Sequence, residues 1–193
     1  MKRLILSAVM LLACRPASAA YIDAWRGEAE LKRAGSEEWL PLAGDEQVKV
    51  AAGDELRTAR ASTVDLQMDD GSRVKIAPLS SFKMVAENKD AVSLGLYFGK
   101  VRSWVRKFSK RFEVRTPSAV CAVRGTDFLV SADEDGGSRV EVYEGSVLAG
   151  DAKGNSSLVR EGQFAVVRPG GALGRPERNP EPPADMNSSA AAP

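Results

Sequence analysis

The sequence contains no histidine. That absence excludes Ser-His-Asp and Cys-His nucleophilic chemistry, histidine-ligated zinc or iron, and any histidine-based pH switch. Cysteine is nearly as scarce: Cys14 and Cys121 alone cannot build a cysteine-rich zinc site or a disulfide scaffold. No apolar run approaches the roughly 20 residues that a membrane-spanning helix needs; the run from Leu4 to Ala13 has ten. A nucleophile elbow, a P-loop and a dinucleotide fingerprint are all missing. What the chain does have is apolar material, 44% of its 193 residues against 27% charged. That is enough to bury one core, and it excludes wholesale disorder.

The two ends read differently from the middle. Lys2 and Arg3 precede the apolar run, Pro16 breaks it, and Ala17-Ser18-Ala19 supplies a small-x-small cleavage pattern, so residues 1–19 read as an export signal peptide. The competing reading is a lipoprotein signal, since Leu11-Leu12-Ala13-Cys14 resembles a lipobox; Arg15 directly after the cysteine speaks against it. Removing Lys2, Arg3 and Arg15 from the 27 basic residues leaves 24 against 26 acidic, a net charge of −2. A near-neutral protein has no global attraction to nucleic acid, so no nucleic-acid partner is expected. Cys121 then stands alone between Val120 and Ala122 and reads as a buried, inert thiol. At the other end, six of the ten prolines fall in residues 169–193, with Leu173 and Met186 the only large apolar side chains. Such a segment lacks the apolar area to offset its ordering entropy and is expected to be a disordered tail.

Between the ends the hydrophobic period is two. Thr63-Val64-Asp65-Leu66-Gln67-Met68, Arg73-Val74-Lys75-Ile76, Glu113-Val114-Arg115 and Arg139-Val140-Glu141-Val142 all alternate, which places one face on a core and the other in water. Turn chemistry separates them at Asp69-Asp70-Gly71-Ser72, Asp135-Gly136-Gly137-Ser138 and Lys153-Gly154-Asn155-Ser156. About eleven short antiparallel strands are expected, with helix conceivable only over 22–33 and 103–112. An internal echo links Leu56-Arg57-Thr58, Asp65-Leu66 and Gly71-Ser72-Arg73-Val74 to Val114-Arg115-Thr116, Asp127-Phe128 and Gly137-Ser138-Arg139-Val140. The expected fold is an all-β sandwich with an internal pseudo-repeat, preceded by a lead-in strand or short helix over 20–38.

From Trp39 to Val167 the ordered fragments resemble the FecR domain family. Gly53-Asp54-Glu55-Leu56-Arg57-Thr58 looks like its opening, Asp70-Gly71-Ser72 and Gly99-Lys100-Val101 continue it, and Val123-Arg124-Gly125-Thr126-Asp127-Phe128 is the most specific stretch. Glu144-Gly145 and Gly162-Gln163 close the pattern. The resemblance implies a jelly-roll-like, antiparallel β-sandwich over 39–168, exported to the periplasm. Gly53, Asp54, Thr58, Gly71, Arg124, Gly125, Thr126, Gly145 and Gly162 are the family-motif residues, and turn geometry or close strand approach explains them without a ligand. Family regulators also carry an anti-sigma segment, a membrane helix and a receptor-docking module; signalling to a sigma factor is not carried over to this chain.

Chemistry is weighed against these structural readings. Asp133-x-Asp135 with Glu144 superficially resembles a calcium loop, but Ser138 stands where that loop requires glycine, and a hairpin turn fits better. Asp65, Asp69 and Asp70 read as a strand face and a turn, not a glycosidase pair. No enzyme, metal or cofactor is expected. The stretch Lys100 to Arg115 holds seven basic residues against one acid, Glu113. As a strand it places Lys100, Arg102, Trp104 and Arg106 on one face, the candidate binding residues; a solvated sheet face, or a short helix through Trp104, Phe108 and Phe112, are the alternatives. The expected function is an exported FecR-type binding or scaffold module acting through an envelope protein partner. The alternative is binding of an anionic envelope polysaccharide.

Overall fold

The computed structural model describes residues 20–180 except 45, 46, 108 and 109, and the described residues contain strands and turns but no helix. The signal segment, Cys14 and residues 181–193 lie outside the described residues. The first nine strands are β1 (Ala20–Arg26), β2 (Ala29–Lys32), β3 (Trp39–Pro41), β4 (Val48–Val50), β5 (Glu55–Thr58), β6 (Thr63–Met68), β7 (Arg73–Ile76), β8 (Ser81–Glu87) and β9 (Ala91–Trp104). The second nine are β10 (Arg111–Arg115), β11 (Ala119–Val123), β12 (Asp127–Ala132), β13 (Ser138–Glu144), β14 (Ser146–Asp151), β15 (Ser156–Arg160), β16 (Gln163–Arg168), β17 (Ala172–Leu173) and β18 (Glu177–Arg178).

Pairing sorts these strands into two layers. One runs β4–β1–β6–β7–β9–β12–β13–β16, with β17 and β18 added to β16. The other runs β3–β2–β5–β8–β9–β10–β11–β14–β15. Strand β9 belongs to both, so the two layers form one mixed sheet folded over at that strand. Its first half pairs with β8 and β10, and its second half, from Gly99, pairs with β7 and β12. Gly99 makes the bend with φ of 96°, a conformation costly to any residue with a Cβ.

The bend also explains a departure from the expected antiparallel fold: β9 and β10 pair in parallel, Ala91 to Gly95 against Arg111 to Arg115. Parallel neighbours ordinarily need a long crossover. Here the bent β9 supplies most of the crossing itself, by carrying the chain from the second layer to the first.

The pseudo-repeat is present, with a different alignment from the sequence echo. Strands β6–β7 and β12–β13 are both hairpins of the first layer. Strands β5–β8 and β11–β14 are both antiparallel pairs of the second. The two halves of β9 pair with β8 and β7 as β15 and β16 pair with β14 and β13. Strand β5 therefore corresponds to β11, while β10 takes the place of β2, since β2 flanks β5 as β10 flanks β11. The match of Leu56-Arg57-Thr58 to Val114-Arg115-Thr116 is overturned; the match at Gly71 to Val74 and Gly137 to Val140 stands at equivalent hairpins.

The two helix candidates hold strand segments and no helix among the described residues. Over 22–33 a register shift between Ile22 and Ala24 interrupts the alternation that would have marked β1. Over 103–112 the described residues 105–107 and 110 lie outside any strand, between the end of β9 and the start of β10, and this break interrupts the period in the same way. Inside the segment expected to be a disordered tail, β17 and β18 both pair with β16, and Leu173 packs on the core.

One apolar cluster fills the space between the layers and draws on both halves, with Ile22, Leu56, Leu66, Phe82, Met84 and Leu94 from one, and Phe112, Phe128, Val130, Val142 and Val159 from the other. Phe112 and Phe128 meet edge to face at 6.4 Å between ring centroids, a favoured aromatic geometry. Cys121 is buried in this cluster. Burial pushes its thiol up to about 12, which keeps it protonated and unreactive at neutral pH.

Candidate binding cleft

The family-motif residues sit at the joints between strands. Asp54 is 2% exposed, and its carboxylate accepts from Ala34 N at 2.9 Å, Ala51 N at 3.0 Å and Arg33 Nη1 at 2.8 Å. It thereby ties the chain after β2 to the turn entering β5. Gly53 beside it donates to Met84 O at 2.7 Å, and a Cβ there would stand 2.7 Å from Ala34 Cβ. Thr58 Oγ1 donates to Ala77 O at 2.7 Å and accepts from Ser80 N at 3.0 Å. Gly162 turns the chain between β15 and β16 with φ of 73°.

The stretch from Arg124 to Thr126 is the corresponding joint of the second half. Gly125 has φ of 68°, and a Cβ on it would come within 2.7 Å of Lys107 Cα. Thr126 Oγ1 donates to Ser146 O at 2.9 Å, and Thr126 O accepts from Val105 N at 2.9 Å. Gly145 lies on the same joint, with room for no Cβ beyond 2.9 Å from Gly125 O. Arg124 is exposed. Positive φ thus explains the five motif glycines, with close backbone approach added at Gly125 and Gly145, and hydroxyl-to-carbonyl bonds explain the threonines.

The four candidate binding residues are treated unequally. Lys100, Arg102 and Trp104 do alternate with buried Val101 and Ser103 on the outer face of the first layer. Arg102, however, is committed within the protein. Its Nε and Nη2 donate to the two oxygens of Asp127 at 3.0 and 2.9 Å, and this hydrogen bonding holds its guanidinium even more firmly protonated than usual. The same group covers the rings of Trp104, at 4.9 Å, and Tyr143, at 4.5 Å. Tyr143 in turn donates to Glu141, which also accepts from Arg139 and Asn179. Arg102 is therefore part of the scaffold of this face, while Lys100 and Arg106 are exposed. Arg106 lies beyond the end of β9, and its backbone N donates to Ser72 Oγ at 3.2 Å.

A cleft of about 700 Å³ opens where the β6–β7 hairpin, residues 104–107 and the joint at Gly125 meet. Its lining includes Asp70, Gly71, Arg73, Trp104, Arg106, Lys107, Thr126 and Glu144. Arg73 lies over the Trp104 ring at 5.4 Å, and Arg106 lies over Gly71, where a Cβ would meet its Cδ at 2.9 Å. Gly71 and Gly125 thus admit residues 105–107 between the two half-repeats. In a second groove, of about 470 Å³, Arg57 is paired with Glu30 and faces the Trp39 ring at 4.4 Å, which leaves that arginine committed. Arg73 and Lys107 escape a reading by strand face, because they reach the cleft from a hairpin and a crossing segment. A cation immediately after the Gly-Ser turn is the one local signal that pointed to Arg73. Among the described residues, no group of three His, Cys, Asp or Glu could hold a metal ion, and no helix is long and apolar enough to cross a membrane.

The fold is that of an all-β domain assembled from two strand-for-strand equivalent halves, with its signature residues at the joints. The family follows from the sequence of those joints. Residues 54–148, just under half of the chain, match the FecR protein family. A comparison with curated proteins gives no match. Among solved structures, two crystal structures of a protein from Parabacteroides distasonis, provisionally described as an anti-sigma factor, share the fold. The TM-scores are 0.57 and 0.56 at 21% identity, and each match covers 64% of this chain and 59% of that protein. The chain thus spans under two thirds of these neighbours.

Proposed function

We propose that this chain is an exported, non-enzymatic FecR-type binding or scaffold module that works by protein–protein contact in the cell envelope. The observation that carries the reading is the division of labour in the FecR stretch. Asp54, Thr58, Gly125, Thr126 and Gly145 serve backbone joints, while Arg73, Arg106 and Lys107 beside them face the cleft. A fold whose signature residues hold a frame, with exposed cations at its mouth, suits recognition better than bond-making chemistry. The structural neighbours described as anti-sigma factors support a regulatory protein partner. Export rests on Lys2-Arg3, the apolar run and Ala17-Ser18-Ala19, and the buried thiol of Cys121 suits an oxidising compartment.

Two measurements test this. Intact mass of protein recovered from its native host gives a chain beginning at Ala20; a mass that includes residues 1–19, or a lipid adduct on Cys14, overturns soluble export. Cross-linking in intact cells, followed by purification of the chain, yields a covalent protein partner. Recovery of the uncross-linked chain alone overturns the binding-module reading.

A further inference from the structure

We propose that the cleft between the β6–β7 hairpin and the Gly125 joint docks a short acidic segment of the partner protein. This rests on the binding-module reading and names the chemistry of the partner. Arg73, Arg106 and Lys107 line the cleft, and none of them makes an ion pair among the described residues. By contrast, the nearby Arg102 and Lys110 are neutralised by Asp127 and Asp69. Exposed cations that a protein leaves unpaired beside a formed concavity are available to ligand carboxylates, and the guanidinium fork matches a carboxylate in two-point geometry. Trp104, with Arg73 and Arg102 over its ring, holds the Arg73 guanidinium at the wall of the cleft.

The acceptors in the same cleft decide between a peptide and a polyanion. Asp70 Oδ2 is buried with no hydrogen-bond partner, and Glu144 is exposed in the lining. A uniformly anionic polymer would meet repulsion at both. Asp127 in the lining is already held by Arg102, and a peptide brings carboxylates for the three cations and N–H donors for the exposed Glu144, so a peptide satisfies the accessible lining better than a polyanion does. The basic residues also form no continuous track: between Lys100 and Arg106 on this face stands Arg102, held by Asp127. A volume of about 700 Å³ fits a few residues of chain.

The test is fluorescence anisotropy with the full chain and a labelled twelve-residue peptide of alternating Glu and Ala. The matching Lys–Ala peptide and sulfated dextran serve as competitors. The Glu peptide is expected to bind, more weakly as salt rises, and the Lys peptide is not. The double variant Arg106→Gln, Lys107→Gln is expected to bind it about tenfold more weakly. Because both side chains are exposed, its thermal midpoint stays within about 2 °C of the parent. Equal binding by parent and variant, no binding by either, or dextran displacing the peptide more tightly than unlabelled peptide does would each overturn the proposal. Cross-linking in cells with the same variant separates the two readings. A partner captured equally by parent and variant sinks the cleft and leaves the binding module standing; no partner with either sinks both.

Discussion

The two halves of the domain share a strand plan and differ in how the plan is held. Before β5 a buried carboxylate, Asp54, gathers two backbone N–H groups and an arginine. Before the equivalent β11 the work falls to hydroxyls: Ser118 and Thr116 both meet Ser138 Oγ, at 2.8 and 2.7 Å. On the outer face of the second layer, the first half lays Lys32, Glu55 and Lys83 side by side across three strands. The matching row of the second half reads Glu113, Ala122, Leu148 and Leu158. The layer crossing is a continuous bent strand at Gly99 in one half and an open turn at Gly162 in the other. What the halves hold in common is the inward alternation and the pairing. Topology follows from those, and the chemistry of the joints is free to vary around them.

The largest contrast should appear at the two crossings. A Cβ at Gly99 would lie 2.5 Å from Ser80 Cα, whereas at Gly162 nothing stands within 4 Å. Gly99→Val is expected to cost about 4 kcal/mol or more, or to prevent folding, because strain and a backbone clash combine. Gly162→Val carries only the left-handed strain of about 1–2 kcal/mol. Urea denaturation of both variants reads the difference, and similar losses would end the claim that the bend in β9 is the tighter joint.

Next in size is the exchange of a carboxylate joint for a hydroxyl one. Asp54→Ala removes the acceptor shared by two part-buried backbone N–H groups and Arg33 and is expected to cost about 3 kcal/mol, while Ser118→Ala leaves Thr116 and Ser138 bonded to each other and costs about 1 kcal/mol. Thermal melts at fixed pH compare them; a larger loss for Ser118→Ala would reverse the ranking of the halves.

The smallest effect is the pH dependence carried by Glu55 in the first half. Hydrogen bonding from Lys83, opposed by burial and aided by Lys32, holds the Glu55 carboxyl below its ordinary value. A lowered folded-state value contributes stability above the unfolded value, near 4.3, and loses it as pH falls through the folded one. The pair being largely at the surface, the contribution is about 0.5–1 kcal/mol. Glu55→Gln should therefore lower stability at pH 6 and leave it little changed at pH 3, as followed by urea midpoints. An equal deficit at both values would assign the effect to packing.

The sequence made the local elements legible and hid the long-range ones. Alternation from Thr63 to Ile76, and from Arg139 to Val142, marked hairpins whose turns carry Gly71 and Gly137. The register shift at Asp23 concealed β1, because one extra residue cancels a period of two. Strand β9 gave no sign of serving two layers, since Gly99 resembles any turn glycine until Ser80 is seen beneath it. The commitment of Arg102 was equally hidden: Asp127 lies 25 residues away and meets it only through cross-strand register. The short strands β17 and β18 carry little apolar signal of their own and depend on the edge that β16 offers.

That the most specific FecR stretch is a frame for the cleft, not the contact surface itself, is tested most directly by Gly125→Val against Gly154→Val in urea. At Gly125 a Cβ meets Lys107 Cα at 2.7 Å, while at Gly154 nothing lies within 4 Å, and both have positive φ. The expected losses are about 2–4 kcal/mol for Gly125→Val, from strain and overpacking together, and about 1–2 kcal/mol for Gly154→Val, from strain alone. Equal, small losses, or a fully stable Gly125→Val protein that no longer captures its partner, would contradict this and place the recognition surface on the motif itself.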